Sequence, residues 1–530
     1  MIRRVFPLAL SLFAAGCSTT GPIAFECRGL EGDKGYAQPQ PQSAYVRQIR
    51  GQARPGGLPR PPAGLAEMMA PVEAIAPIQG GAPVEDGKAP VLTLEQALQQ
   101  SEQEAKAVEK AAVNAHAFAE SWSFTTPNQP ISADLLLSGG GQWGAYGAGF
   151  LSRLHAKGFD RNYHFGTVTG VSTGAFQALF VGAGGDEDFR ALSAVYAPPS
   201  EAHLVRRYRP TMLAAVTGEM AAIARLRVRL EHALCSRALL AQSLKAGQSL
   251  SPEAVAATCP MIARLARSGG TKVPGLPAPP ALSRNVFVGM VRADDGEFMM
   301  ANATRIAQDL FTADAVRKGI SPTSVRNAQQ CLAGIGLASA AMPLFYQQVQ
   351  IADPGTGGKK RTYYDGGVRQ SVFEAELAQA RQSAENKRPI FVLRNGPTAL
   401  LKRIRAPGSK VERDVPGADE KVNNTANPLD AAMRAEKIVV NQVEVQSIAD
   451  LRLTNPDGPV YFTTADGFHD FTPYSPRAFC AKRNKDIMFD DLFMLCLRDY
   501  GVAHADRGTS EKLLLDAWTR LVTAQELKRR

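Results

Sequence analysis

The stretch Leu135-Leu136-Leu137-Ser138-Gly139-Gly140-Gly141-Gln142-Trp143-Gly144 decides the fold. A short apolar run ended by glycines reads as a buried strand. Beyond Gly144, the residues Ala145, Tyr146, Ala148, Phe150, Leu151 and Leu154 recur at helical spacing. The glycines therefore sit on a strand-to-helix turn, where backbone N–H groups lack partners and the helix dipole favours negative charge. The pattern recurs downstream. Thr167-Val168-Thr169 is β-branched and strand-like, Gly170-Val171-Ser172-Thr173-Gly174 follows, and Ala175, Phe176, Ala178, Leu179 and Phe180 open a second helix. Gly-x-Ser-x-Gly between strand and helix is a nucleophile elbow. Side chains at Gly170 and Gly174 would collide with neighbouring backbone, and the tight turn lifts the Ser172 hydroxyl clear of the sheet.

Neither motif decides the chemistry alone in a chain with 47 glycines. Gly139-x-Gly141-x-x-Gly144 also fits the dinucleotide fingerprint, which wants an acidic residue about 20 residues on. Asp160 meets that count but sits in the loop-like Gly158-Phe159-Asp160-Arg161-Asn162. A third element favours hydrolysis: Asp365-Gly366-Gly367, preceded by the strand-like Thr362-Tyr363-Tyr364. Other Asp-Gly pairs occur, but only Asp365 has two glycines behind it and strand residues before it.

In this order the three motifs resemble the patatin-like phospholipase family. Ala338-Ser339-Ala340-Ala341-Met342-Pro343-Leu344-Phe345 resembles a fourth stretch of that family, with its phenylalanine one position early. The resemblance runs from Asp134 to about Pro397. It implies an α/β, patatin-like three-layer fold with a central, largely parallel sheet and helical insertions. It also implies a lipid acyl hydrolase of the phospholipase A or lysophospholipase type, working through a Ser172–Asp365 dyad without cofactor or metal. Ser172 would be the nucleophile and Asp365 the general base. Backbone N–H groups of Gly140 and Gly141 would hold the oxyanion, with Gly139 shaping the turn; Gly144, Gly170, Gly174, Gly366 and Gly367 would let the backbones close together. The substrate would be a membrane phospholipid or another acyl lipid. The family's cation beside the glycine run has no counterpart here, since Gln142 and Trp143 are uncharged. Two alternatives remain open: a Ser-His-Asp esterase using His469 or His504, and a non-catalytic envelope lipoprotein that uses the fold as a binding module.

Composition sets the setting. Hydrophobic content of 45% and charged content of 21% are those of a globular protein, and the formal net charge of +10 suits anionic membranes or nucleic acid. No zinc spacing or aromatic RNA-binding signature accompanies the charge, so nucleic acid is not expected as a partner. Arg3 and Arg4, an apolar run over 5–15, and Ala14-Ala15-Gly16-Cys17 make a secretory signal over 1–16. The Gly-Cys end resembles the bacterial lipobox, which implies lipidation of Cys17. Ser18 behind it implies an outer-membrane address in the cell envelope. Cys27, Cys235, Cys259, Cys331, Cys480 and Cys496 remain and permit disulfides in an exported protein. Cys235–Cys259 and Cys480–Cys496 are short-range candidates among fifteen possible connectivities.

The chain divides further. Residues 17–90, rich in Pro and Gly, read as a tether. Residues 91–122 hold a helix over about 94–120, opened by the capping box Thr93-Leu94-Glu95-Gln96. Residues 130–400 form the catalytic domain, and 401–530 an extension with a basic, loop-like stretch over 400–424, helix candidates over 429–451, 487–497 and 513–521, and a strand at 460–463. Expected strands are 135–138, 167–171, 285–291, 298–301, 346–351, 361–364 and 390–393. Within the catalytic domain, 203–284 is a helical insertion, with 212–244 as one strongly helical stretch. Arg206, Arg207, Arg209, Arg225, Arg227 and Arg229 make it basic, either as a lid over an acyl pocket or as a solvated face.

Overall fold

The computed structural model describes residues 21–32, 34–40, 130–207, 219–374, 388–405, 412–418, 428–455, 458–472, 480, 488–507 and 515–522. Cys17, the tether beyond residue 40 and the helix expected over 94–120 lie outside them. Among the described residues, eleven strands form one sheet. They are β1 (Ile23–Glu26), β2 (Ala37–Pro39), β3 (Ile131–Leu137), β4 (Tyr163–Val171), β5 (Asn285–Arg292), β6 (Phe298–Asn302), β7 (Val349–Ala352), β8 (Lys360–Asp365), β9 (Ile390–Leu393), β10 (Val460–Thr463) and β11 (Thr519–Leu521). The inner run β5-β4-β3-β9-β10 is parallel throughout. Antiparallel partners flank it, β11 on β10 and β6 on β5.

Helices cover both faces. The larger ones are α1 (Gly144–Ala156), α2 (Thr173–Ala183), α3 (Asp186–Val195), α4 (Ala224–Leu234), α5 (Pro322–Ser339), α6 (Pro428–Thr454) and α7 (Asp491–Asp506). Successive residues of a strand face opposite ways, and the core divides accordingly. Leu135, Leu137, Phe391 and Leu393 join Phe150, Leu179, Ile335 and Leu497 in the main cluster. Leu136, Ile390, Val392 and Val460 instead meet Ile448 and Leu451 of α6. The middle strands are thus apolar on both sides, as a buried parallel sheet requires, and the fold is the expected three-layer α/β arrangement. On the first face α1 and α7 pack so closely that a Cβ at Gly149 would overlap the carbonyl of Arg498, and one at Gly501 the carbonyl of Tyr146.

Several local expectations change. Residues 21–40 are not tether: β1 pairs with β7, β2 with β6, and Cys27 is bonded to Cys331 of α5. Ile23 and Phe25 point inward from β1, an alternation hidden by the surrounding Pro/Gly-rich composition. The stretch 212–244 is not one helix. Glu219–Ala222 is a strand, α4 follows, and Arg237–Ala246 is a separate helix after Cys235, which is bonded to Cys259. The strand expected at 346–351 divides at Gln347 and Gln348 into Leu344–Tyr346 and β7, which belong to different sheets. Residues 401–405 and 412–416 pair as a hairpin where a loop is expected. Helical spacing over 513–521 gives way to β11, because the open edge of β10 offers Tyr461 and its neighbours unpaired backbone. The extension beyond 400 therefore completes the same sheet, and Cys480–Cys496 closes its last part.

Candidate active site

β4 and β8 meet head to head. On one side of β5, Gly289 pairs with Val171 and Met290 with Asp365, while both bond to β6 on their other side. The end of β4 thus abuts the end of β8, one register step apart. Ser172 directly follows Val171, so the topology carries Ser172 and Asp365 to the same point of the sheet. A Cβ added at Gly366 would stand 2.7 Å from the carbonyl oxygen of Gly289 and 2.9 Å from Cγ1 of Val171. Only glycine lets the turn after Asp365 lie that close to the elbow.

The elbow itself is strained. Ser172 has φ 55° and ψ −123°, in a region that costs a non-glycine residue on the order of 1–3 kcal/mol. Leu344 is the other described non-glycine residue with positive φ. A Cβ at Gly170 would overlap the carbonyl of Gly174, and one at Gly174 the carbonyl of Leu137. The Ser172 N–H donates to Ser339 Oγ at 2.8 Å, and Ser339 Oγ donates to the carbonyl of Gly289 at 2.6 Å. Ser339 therefore ties the elbow to β5 from the end of α5. Asp365 is 3% exposed and accepts from the Gly367 N–H at 2.7 Å, while its own N–H donates to Ala341.

The glycine run lies beside the elbow. A Cβ at Gly139 would sit 3.3 Å from that of Ser172, and one at Gly144 would overlap Thr173 Oγ1. Gly140 and Gly141 have φ of 143° and 57°, conformations that favour glycine. Among the described residues, the N–H groups of Gly139, Gly140 and Gly141 donate to no protein acceptor. The run is held from below. Asn395 donates its N–H to Ser138 Oγ at 2.9 Å and its Nδ2 to the Ser138 carbonyl at 2.8 Å. Its amide also exchanges bonds with Gln177, whose Nε2 reaches the Gly144 carbonyl at 2.8 Å. Alongside, Arg394 Nε donates to Glu444 Oε2 at 3.0 Å; burial pushes that carboxyl up, against the pull of Arg394 and Ser138.

Sequence reading missed Asn395 and Gln177. The signal for Gln177 is a lone amide in an apolar helix; Asn395 carries none beyond its place at the end of β9. Asn395→Ala would strand the Ser138 carbonyl and the Gln177 amide, at about 1–3 kcal/mol per buried group. The expected result is a lower denaturation midpoint together with a fall in kcat larger than any change in KM.

Ser172, Thr173 and Gly141 open on a common cavity. Phe176 and Phe180 of α2, Leu226 and Leu230 of α4, Phe489 and Met494 line it with apolar surface. The insertion thus forms a wall of the pocket. Neither Gln142 nor Trp143 does: Gln142 accepts from the Asp490 N–H at 3.1 Å, and Trp143 packs edge-on against Phe468 and Phe493. His469 and His504 are not in the lining either. His504 packs on Tyr146, Phe150 and Tyr500, and burial, helped by Arg507, holds it down at about 4. Among the described residues, no group of three His, Cys, Asp or Glu gathers as a metal site.

A family model described as patatin-like phospholipase matches residues 135–378. Among solved structures, VipD from Legionella pneumophila matches with 12% sequence identity over 74% of this chain and 74% of that chain, at a TM-score of 0.27. No curated protein matches.

Proposed function

From the match of residues 135–378 to a patatin-like phospholipase family model, we propose a serine lipid acyl hydrolase working through Ser172 and Asp365. The observation that carries this reading is the strained Ser172, set beside unspent N–H groups and opening on an apolar cavity. In the proposed reaction Ser172 Oγ attacks the ester carbonyl carbon as its proton passes to Asp365. The carbonyl oxygen becomes an oxyanion held by the N–H groups of Gly140 and Gly141, with Gly139 fixing the turn. Collapse breaks the bond to the alcohol, which leaves with the proton from Asp365. Water, deprotonated by the same carboxylate, then attacks the acyl carbon; the bond to Ser172 Oγ breaks, Asp365 returns the proton to that oxygen, and the fatty acid is released. The apolar cavity suits the acyl chain, and the substrate class is a phospholipid or lysophospholipid. A fluorophosphonate probe should label the wild-type protein at Ser172; an unlabelled, folded protein would favour the binding-module reading.

The proposal extends to location: lipid attachment at Cys17 in the outer membrane of a bacterial envelope. Support comes from the signal-like residues 1–16 and from three disulfides, which persist in oxidising compartments. With labelled palmitate fed to expressing cells, the wild-type chain should take up label and Cys17→Ala should not. Equal labelling of both would end the anchor assignment.

A further inference from the structure

α4 carries three arginines, and they are used differently. Arg225 donates to the carbonyl of Ala202. Arg227 donates to Glu231 at 2.7 Å, to the Ala24 carbonyl at 3.1 Å and to Gln330 at 3.2 Å, and lies over the ring of Phe25. Both hold the helix in place, and the Cys235–Cys259 bond fixes the residue just past its end. Arg229 does neither. It is half-buried, lines the cavity that Ser172 opens on, and among the described residues makes no hydrogen bond or ion pair.

The spacing places Arg229 deliberately. Leu226, Arg229, Leu230 and Ala233 all line the cavity, three, four and seven residues from the first, which is one face of a helix. An arginine stem can cover apolar surface while its head seeks a charge. Among the described residues no other charged side chain lines the cavity, and the glycine run contributes no cation, since Gln142 and Trp143 are neutral and engaged elsewhere. A guanidinium with five donors in a fixed fork matches phosphate oxygens better than any neutral headgroup.

We propose that Arg229 binds the phosphate of the lipid whose acyl chain fills this cavity, so that the site prefers phosphate-bearing acyl lipids to neutral acyl esters. This rests on the hydrolase reading above and adds the recognition element that the glycine run lacks. The shared chemistry is an anionic phosphate ester, and the lipid headgroup is its source.

The test compares wild type, Arg229→Met and Arg229→Lys on monomeric short-chain diacylphosphatidylcholine and on the diacylglycerol with the same chains. The readout is the ratio of the two kcat/KM values. Loss of charged hydrogen bonds should lower that ratio about 10- to 100-fold in Arg229→Met, and Arg229→Lys should recover part of it. An unchanged ratio, or an equal loss on both substrates, overturns the proposal. If wild type hydrolyses neither lipid, the hydrolase reading falls, and binding then decides this one. Calorimetry on Ser172→Ala and Ser172→Ala/Arg229→Met with the same two lipids should show weaker binding of the phosphatidylcholine alone; equal affinities overturn it. Inorganic phosphate should inhibit wild type weakly. Strong inhibition, absent in Arg229→Met, would reassign the site to free phosphate and overturn the headgroup source.

Discussion

Ser172→Ala is expected to lower acyl-ester hydrolysis by about 10,000-fold or more, since removal of an activated nucleophile leaves only binding and oxyanion stabilisation. Fluorophosphonate labelling should vanish with it. The fold should survive, because the Ser172 bond to Ser339 is made by the backbone N–H and persists in alanine. Alanine would occupy the same positive-φ position, so its melting temperature should stay near that of wild type. Residual activity within tenfold of wild type, measured as fatty acid released from phospholipid, would remove Ser172 from the chemistry.

Asp365→Asn should follow closely, with a loss of about 100- to 10,000-fold from the missing general base. An asparagine can still accept the Gly367 N–H through its amide oxygen, so the turn that brings Gly366 against Val171 should persist. The informative contrast is with His469→Ala and His504→Gln. His504 is built into an aromatic cluster with Tyr146 and Tyr500, and His469 packs on Phe468 and faces Asp470. Both variants should keep most of the activity. An inactive histidine variant beside an active Asp365→Asn would replace the dyad with a triad.

How much was legible depends on the range of the contacts. The stretch 135–144 can be read because strand and helix periodicity change over at glycines within one short window. The same holds for 167–180, and Asp365 stands out because two glycines follow a β-branched and aromatic run. All three signals are local. The wall of the cavity is not. Phe489 and Met494 reach it only because Gly149 and Gly501 let α7 settle on α1, and nothing near residue 489 announces that. Asn395 acts on a carbonyl 257 positions away. β1 fails for a related reason: its alternation covers four residues, and the strand it joins begins at Val349. The spacing at 513–521 fits helix and strand alike, and the open edge of β10 decides between them.

That edge pairing of β1 has a consequence for how the molecule comes into being. A chain synthesised from its amino end delivers Ile23–Glu26 early, yet the partner strand at Val349–Ala352 and the bonding partner Cys331, 304 positions on from Cys27, arrive much later. The segment must stay unpaired, with Ile23 and Phe25 uncovered, until most of the polypeptide has emerged. Long-range pairing of this kind slows folding and leaves sticky intermediates. The first of the described strands to be synthesised is thus among the last to find its place.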